Sequence, residues 1–428
     1  MHAHDLKAPA FRRLPLYTLF SANTISVTGS SLTLIAVPWF VLQTTGSAAR
    51  VGFTGVAEVL AIIVAGLLGG VLIDRLGYKR SSVLADLASG VAIALIPLLY
   101  YSVGLDFWQL LILVFCAALF NAPGTSARVA LLPDIAGPAG MPLERANALL
   151  HAIERGSRLL GAPLAGILIA LLGTSRVLWL DAASFVVSAL LIGLVIPRSR
   201  PKEVSPATTK ASGGYLAELG AGLGFIRHNR LMLAIVLTII ITNFLDSPLG
   251  AVVMPVYAKQ RFGSPLALGL IEAAWGGGAL VGALIYSALG PRLPRRATFI
   301  GAFILIGLPF WLLSLLPTLP FTMTAMAIIG AGSGPINPLL WTLGQECVPA
   351  EMRGRVFGAI GAAAFAALPL GLILAGYLVD AVGLRVTFLI IAACYLIVTL
   401  STLFNRALRE MDAPVEKLGV QESGPLLV

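Results

Sequence analysis

The feature that most constrains this chain is a succession of long windows almost free of charge, near residues 14–42, 51–73, 82–103, 107–132, 149–172 and 177–197. A second set follows near 231–258, 265–289, 298–316, 319–346, 356–382 and 385–405. A bilayer core of ~30 Å is crossed by ~20 apolar residues in a helix. In hydrocarbon every backbone N–H and C=O must be satisfied within the protein, which leaves helices or closed barrels. Windows of this length therefore predict an all-α membrane protein with twelve transmembrane helices in two six-helix bundles. Composition agrees, because only 11% of the 428 residues are charged, against about 25% in a soluble domain. The run between Arg296 and Glu346 is too long for one helix, and Pro317 and Pro320 are expected to break it into the ninth and tenth spans.

The windows divide the chain into an N-terminal bundle (1–197), a cytoplasmic linker (198–230), a C-terminal bundle (231–405) and a cytoplasmic tail (406–428). The linker is rich in Pro, Ser, Thr, Gly and basic residues and is expected to hold a short amphipathic helix. The first window is far longer than a signal-peptide core and is expected to remain as the first span. Of the 29 lysines and arginines, the segments expected outside hold only Arg50, Arg176, Lys259, Arg261 and Arg385, and Arg128, Arg155 and Arg158 fall within spans. Basic residues are retained on the cytoplasmic side, so both termini are expected there, in a bacterial inner membrane. The halves also look like copies. A shift of 210 residues pairs Arg145 with Arg355, Gly166 with Gly376 and Gly173 with Gly383.

Several function classes lose ground on the same residues. The net charge of +9 sits in short clusters between spans, as topology requires, and does not point to nucleic acid. Cys116, Cys347 and Cys394 lie in apolar stretches without metal-ligand spacing, so neither a disulfide framework nor a metal or cofactor site is expected. No lysine precedes Ser or Thr, so the phosphate-cradling loop of an ATP-driven pump is missing, and there is no His-Glu-x-x-His string. His151 approaches a span alone and reads as structural.

The most informative string is Gly70-Val-Leu-Ile-Asp74-Arg75-Leu-Gly77-Tyr-Lys79-Arg80, between the second and third spans. It resembles the loop signature of the major facilitator superfamily. Gly70 is expected to permit close helix contact, Gly77 a tight turn, and Arg75, Lys79 and Arg80 to anchor the cytoplasmic end on anionic headgroups. The resemblance implies that Asp74 latches the two bundles, with Glu351-Met-Arg353-Gly-Arg355 at the start of the eleventh span as acceptor. The equivalent loop of the second half has Tyr286 in place of the Asp, which implies one latch. Within the superfamily, Ile35-Ala-Val-Pro38, Ala130-Leu-Leu-Pro133-Asp134, Arg145-Ala-Asn147-Ala-Leu149 and Arg353-Gly-Arg355-Val-Phe-Gly358 resemble the enterobactin and macrolide exporter group.

Ionisable groups inside spans cost roughly 2.5–3.5 kcal/mol each on insertion scales and normally face a partner or cavity. Glu154 and Arg158 lie four apart on one helix face and are a potential pair. Arg128 is placed to snorkel, and Asp86 is expected to be structural, neutralised by Arg75, Arg80 or Arg145. Asp246 lies past the midplane, and Glu58 and Glu272 occupy outer thirds. With Glu154 these are the candidate proton-coupling carboxylates, while Asn23, Asn243 and Asn337 are candidate cavity residues beside Ser26 and Thr28. The expected function is proton-coupled export of a small amphipathic molecule by a monomer in the bilayer. Nutrient uptake on the same fold is the alternative, ahead of a polytopic membrane enzyme or lipid-handling protein.

Overall fold

A computed structural model describes residues 10–197 and 215–412. Most of the expected linker and the end of the expected tail lie outside the described residues. The first six helices are α1 (Ala10–Thr45), α2 (Ala48–Leu76), α3 (Tyr78–Ser102), α4 (Phe107–Ala136), α5 (Leu143–Leu172) and α6 (Thr174–Val195). A short helix, α7 (Tyr215–His228), precedes α8 (Arg230–Pro248), which continues through a π-helical segment (Leu249–Val253), α9 (Met254–Tyr257) and a second π segment (Ala258–Phe262). Then come α10 (Pro265–Leu289), α11 (Arg295–Leu313), α12 (Leu319–Ser333), α13 (Ile336–Cys347) and α14 (Arg353–Phe404).

Among the described residues, eleven helical stretches are long and apolar enough to cross a membrane. One of them contains α14, whose 52 residues would extend about 78 Å at 1.5 Å per residue, far beyond a ~30 Å hydrocarbon core. Within it Gly383 has φ 78° and ψ 169°, a backbone conformation open essentially to glycine alone. The break divides α14 into two spans and brings the crossings among the described residues to the expected twelve. The charge-free run after Arg296 also breaks where expected. α11 ends at Leu313, and Pro320 sits in the first turn of α12, where its missing N–H costs nothing.

The repeat read from the sequence has a backbone counterpart. Shifting the start of α5, Leu143, by 210 residues gives Arg353, the start of α14. The same shift takes Gly173 (φ 85°, ψ 156°), between α5 and α6, onto Gly383 (φ 78°, ψ 169°). Both halves therefore join their last two spans through a glycine in the same unusual conformation.

The described residues form two compact units, the first comprising 10–197 with 258–270 and the second 215–257 with 271–412. In the first, α1 packs on α5 and α6, α3 on α4 and α6, and α2 on α4. Leu16, Leu19 and Phe20 of α1 meet Leu131, Leu132 and Ile135 of α4, with Leu150 and Ile192, in one apolar core. In the second unit α14 packs on α7, α8 and α11, and Tyr395 stacks on Phe310 with ring centroids 5.2 Å apart. Large apolar side chains such as Leu67, Leu68, Leu171 and Leu194 remain exposed, as expected where lipid, not water, is the solvent.

Candidate functional site

The polar interior of the first unit centres on Asp86 of α3. Arg128 of α4 donates from Nη1 to both carboxylate oxygens, at 2.9 and 3.0 Å, and Ser188 of α6 donates its hydroxyl at 2.6 Å. Both members of the ion pair are buried, at 1% and 0% exposure. This corrects two expectations. Arg128 does not snorkel, and Asp86 is neutralised by Arg128 while Arg75, Arg80 and Arg145 are exposed. The reason is directional, since α3 and α4 pack along their length and a buried guanidinium is tolerated only when paired.

Sequence reasoning overlooked Asp181, a fully buried carboxylate in α6. Thr33 of α1 donates a short hydrogen bond to its Oδ2, and Ser184 donates to Oδ1 at 3.2 Å. A Cβ at Gly29 would lie 2.5 Å from Asp181 Oδ1 and 2.0 Å from Ser184 Oγ, so α1 needs a glycine there. The missed signal was the polar stripe Asp181, Ser184, Ser188 in an otherwise apolar span, at the i, i+3, i+7 spacing of one helix face.

The expected pair of Glu154 and Arg158 is not formed. Glu154 instead meets His151 Nδ1 at 3.4 Å, and the charge of Arg158 acts on Glu58 of α2. Both lie on the same helix face as foreseen, with Arg158 one turn further along and exposed. Glu58 is half-buried. Asn23 Nδ2 and Ser26 Oγ are buried without a hydrogen-bond partner among the described residues.

In the second unit Asp246 of α8 accepts a short hydrogen bond from Tyr395 of α14. Tyr395 is fully buried while Asp246 is exposed, so the phenol holds the carboxylate from behind. One turn on, inside the π segment, a Cβ added at Gly250 would lie 3.9 Å from Glu272 Oε1. That oxygen is buried without a hydrogen-bond partner among the described residues. Asn243 is half-buried and Asn337 exposed.

Each part of the loop signature has a local setting. Gly77 takes φ 78°, ψ 153° and its N–H closes α2 on Ile73 O at 2.8 Å, which is the tight turn expected. Gly70 does not mediate a close contact, since an added Cβ would meet nothing within 4 Å. The neighbouring Gly69 does so, 3.2 Å from Pro123 of α4. Asp74, Arg75 and Arg80 are exposed. Lys79 is not directed to headgroups alone, because its ammonium donates to Ile196 O at the end of α6, where a cation complements the helix dipole. Arg296, at the start of α11, likewise donates to Leu403 O at the end of α14, at 2.7 Å. Arg353 binds Gln345 O and Val348 O at 2.8 and 3.2 Å and thereby caps α13, whereas Arg355 is exposed in the first turn of α14.

The comparisons with known proteins agree with this architecture. The family model described as Major Facilitator Superfamily matches residues 19–368 and 239–424. The chain is 34% identical over 404 residues to the multidrug efflux pump Tap of Mycolicibacterium fortuitum, covering 94% of this chain and 98% of that one. It is 23% identical to macrolide efflux protein A of Streptococcus pyogenes over 94% of this chain and 98% of that one. Among solved structures, the nucleoside transporter NupG superposes with a TM-score of 0.75 at 11% identity, over 91% of this chain and 98% of that one. With its apolar spans, its loop signature and these full-length likenesses, the chain is a multi-pass membrane protein that belongs to the Major Facilitator Superfamily.

Proposed function

We propose that the protein exports a small amphipathic organic molecule, of the drug, macrolide or siderophore kind, in exchange for protons. Its two six-helix bundles rock about a site near the midplane in alternating access. It works as a monomer in the bacterial inner membrane with both termini in the cytoplasm. The observation that carries the reading is likeness to an efflux pump at 34% identity across 94% of the chain. Carboxylates at membrane depth, Glu58, Glu154, Asp246 and Glu272, supply candidate groups for proton coupling. The test is erythromycin accumulation in inverted vesicles from cells expressing the protein. Accumulation abolished by a protonophore and indifferent to ATP depletion is expected. Accumulation that survives the protonophore and stops with ATP depletion would overturn proton drive, and uptake into whole cells would overturn export.

The same reading gives Asp74 a role in the cycle. It lies in the last turn of α2 and is exposed, where the helix dipole disfavours a negative charge. A helix N-terminus bearing an arginine favours one. The first turn of α14, with Arg355, has both properties, so Asp74 latches onto it in one conformation of the cycle.

A further inference from the structure

We propose that Asp181 is the residue of the first unit that takes up and gives back the coupling proton, with the Thr33 hydroxyl as its connection. This rests on the proton-driven reading above. The other carboxylates of the first unit at this depth have basic neighbours. Asp86 has Arg128, Glu154 has His151 and the charge of Arg158 acts on Glu58. The hydrogen-bond partners of Asp181 are the hydroxyls of Thr33 and Ser184, and Asp86 is the charged group that acts on it. A buried carboxylate without a compensating cation is costly when ionised and well tolerated as the hydrogen-bonded acid. This is the setting in which protonation changes the local energy most.

The surroundings give that change a mechanical outlet. Elements α1, α3 and α5 pack on α6. Toward Asp181, α1 presents Thr33 and Gly29, and α3 presents Asp86, which Arg128 of α4 compensates. On α5, Glu154 and Arg158 have the neighbours already named, and Glu144, Arg145 and Arg155 are exposed. Thr33 is half-buried, and a hydroxyl both donates and accepts, so it can pass a proton between Asp181 and the less buried side of α1. Gly29 leaves no room for a side chain between α1 and the Asp181–Ser184 pair. An ionised Asp181 therefore alters the α1–α6 contact itself. Ser188, seven residues on and on the same face, ties the same helix to Asp86 at 2.6 Å, about 10.5 Å further along the axis.

The experiment uses the full chain purified into liposomes. Infrared difference spectra between pH values follow the carboxylic-acid C=O stretch, and erythromycin movement is measured both as gradient-driven efflux and as exchange without a gradient. The expected result is a pH-dependent acid band that Asp181→Asn removes and Thr33→Val shifts in frequency, with gradient-driven efflux lost and exchange retained in Asp181→Asn. A band unchanged in Asp181→Asn, or gradient-driven efflux at the wild-type rate, would overturn the proposal. Should Asp181→Asn fail to reach the membrane, Thr33→Val decides, since an unshifted band rules out the assigned group. A wild-type protein whose transport ignores a protonophore would defeat the proton-driven reading, while the band would still report separately whether Asp181 titrates.

Discussion

Arg128 Nη1 lies 2.9 Å from Asp86 Oδ1, with both side chains at or below 1% exposure, and this pair joins α3 to α4 inside the first unit. Removing one partner of a buried pair leaves an uncompensated charge and costs about 3–5 kcal/mol, whereas replacing both together is far milder. Arg128→Met and Asp86→Leu are each expected to lower membrane abundance and melting temperature strongly. The double variant should recover much of the loss, as measured by thermal unfolding in detergent.

The two equivalent glycines make a backbone prediction. Gly173 and Gly383 have φ of 85° and 78°, and an added Cβ would meet nothing within 4 Å at either. Substitution therefore introduces strain without a clash, of about 1–3 kcal/mol each. Gly173→Ala and Gly383→Ala should both lower the melting temperature by similar amounts. Gly70→Ala, at an open position in regular helix, should leave it unchanged or slightly raised.

Asp74→Asn tests the latch. A dipole interaction of about 1 kcal/mol corresponds to roughly a fivefold shift between the conformations it links. The variant is expected at normal abundance, with reduced transport and with introduced cysteines near the end of α2 labelled more readily. Normal transport with unchanged labelling would remove Asp74 from the cycle.

Asp246→Asn, in the second unit, should impair coupled transport more than Asp106→Asn. Asp106 is the N-cap of α4 and forms a capping box with Gln109, a role asparagine fills equally well. Within the pair that holds Asp246, Tyr395→Phe removes the hydrogen bond while keeping the stacked ring. It should change the pH profile of transport without changing abundance. Equal activity in the Asp246 and Asp106 variants would show that Asp246 does not serve coupling.

Apolar windows, helix-breaking prolines and glycines, and the shift of 210 residues determined the all-helical membrane fold, its twelve crossings and its internal repeat. These are local properties. The length of a lipid-soluble helix, the missing N–H of Pro320 and the backbone freedom of Gly383 act within a few residues and are readable one window at a time. What each charged side chain touches is a different kind of fact. Asp86 meets Arg128 and Ser188, which stand 42 and 102 residues away, and Tyr395 reaches Asp246 across 149. Those partnerships depend on the rotation of each helix about its axis, which is set by the packing of whole faces. A shift of one residue turns a helical side chain by about 100°. For that reason the sequence put a carboxylate and an arginine at similar depth in neighbouring spans. Only the tertiary packing decided that Arg128 faces inward, that Glu154 meets His151, and that Asp181 is buried against Thr33 with no room at Gly29 for anything larger.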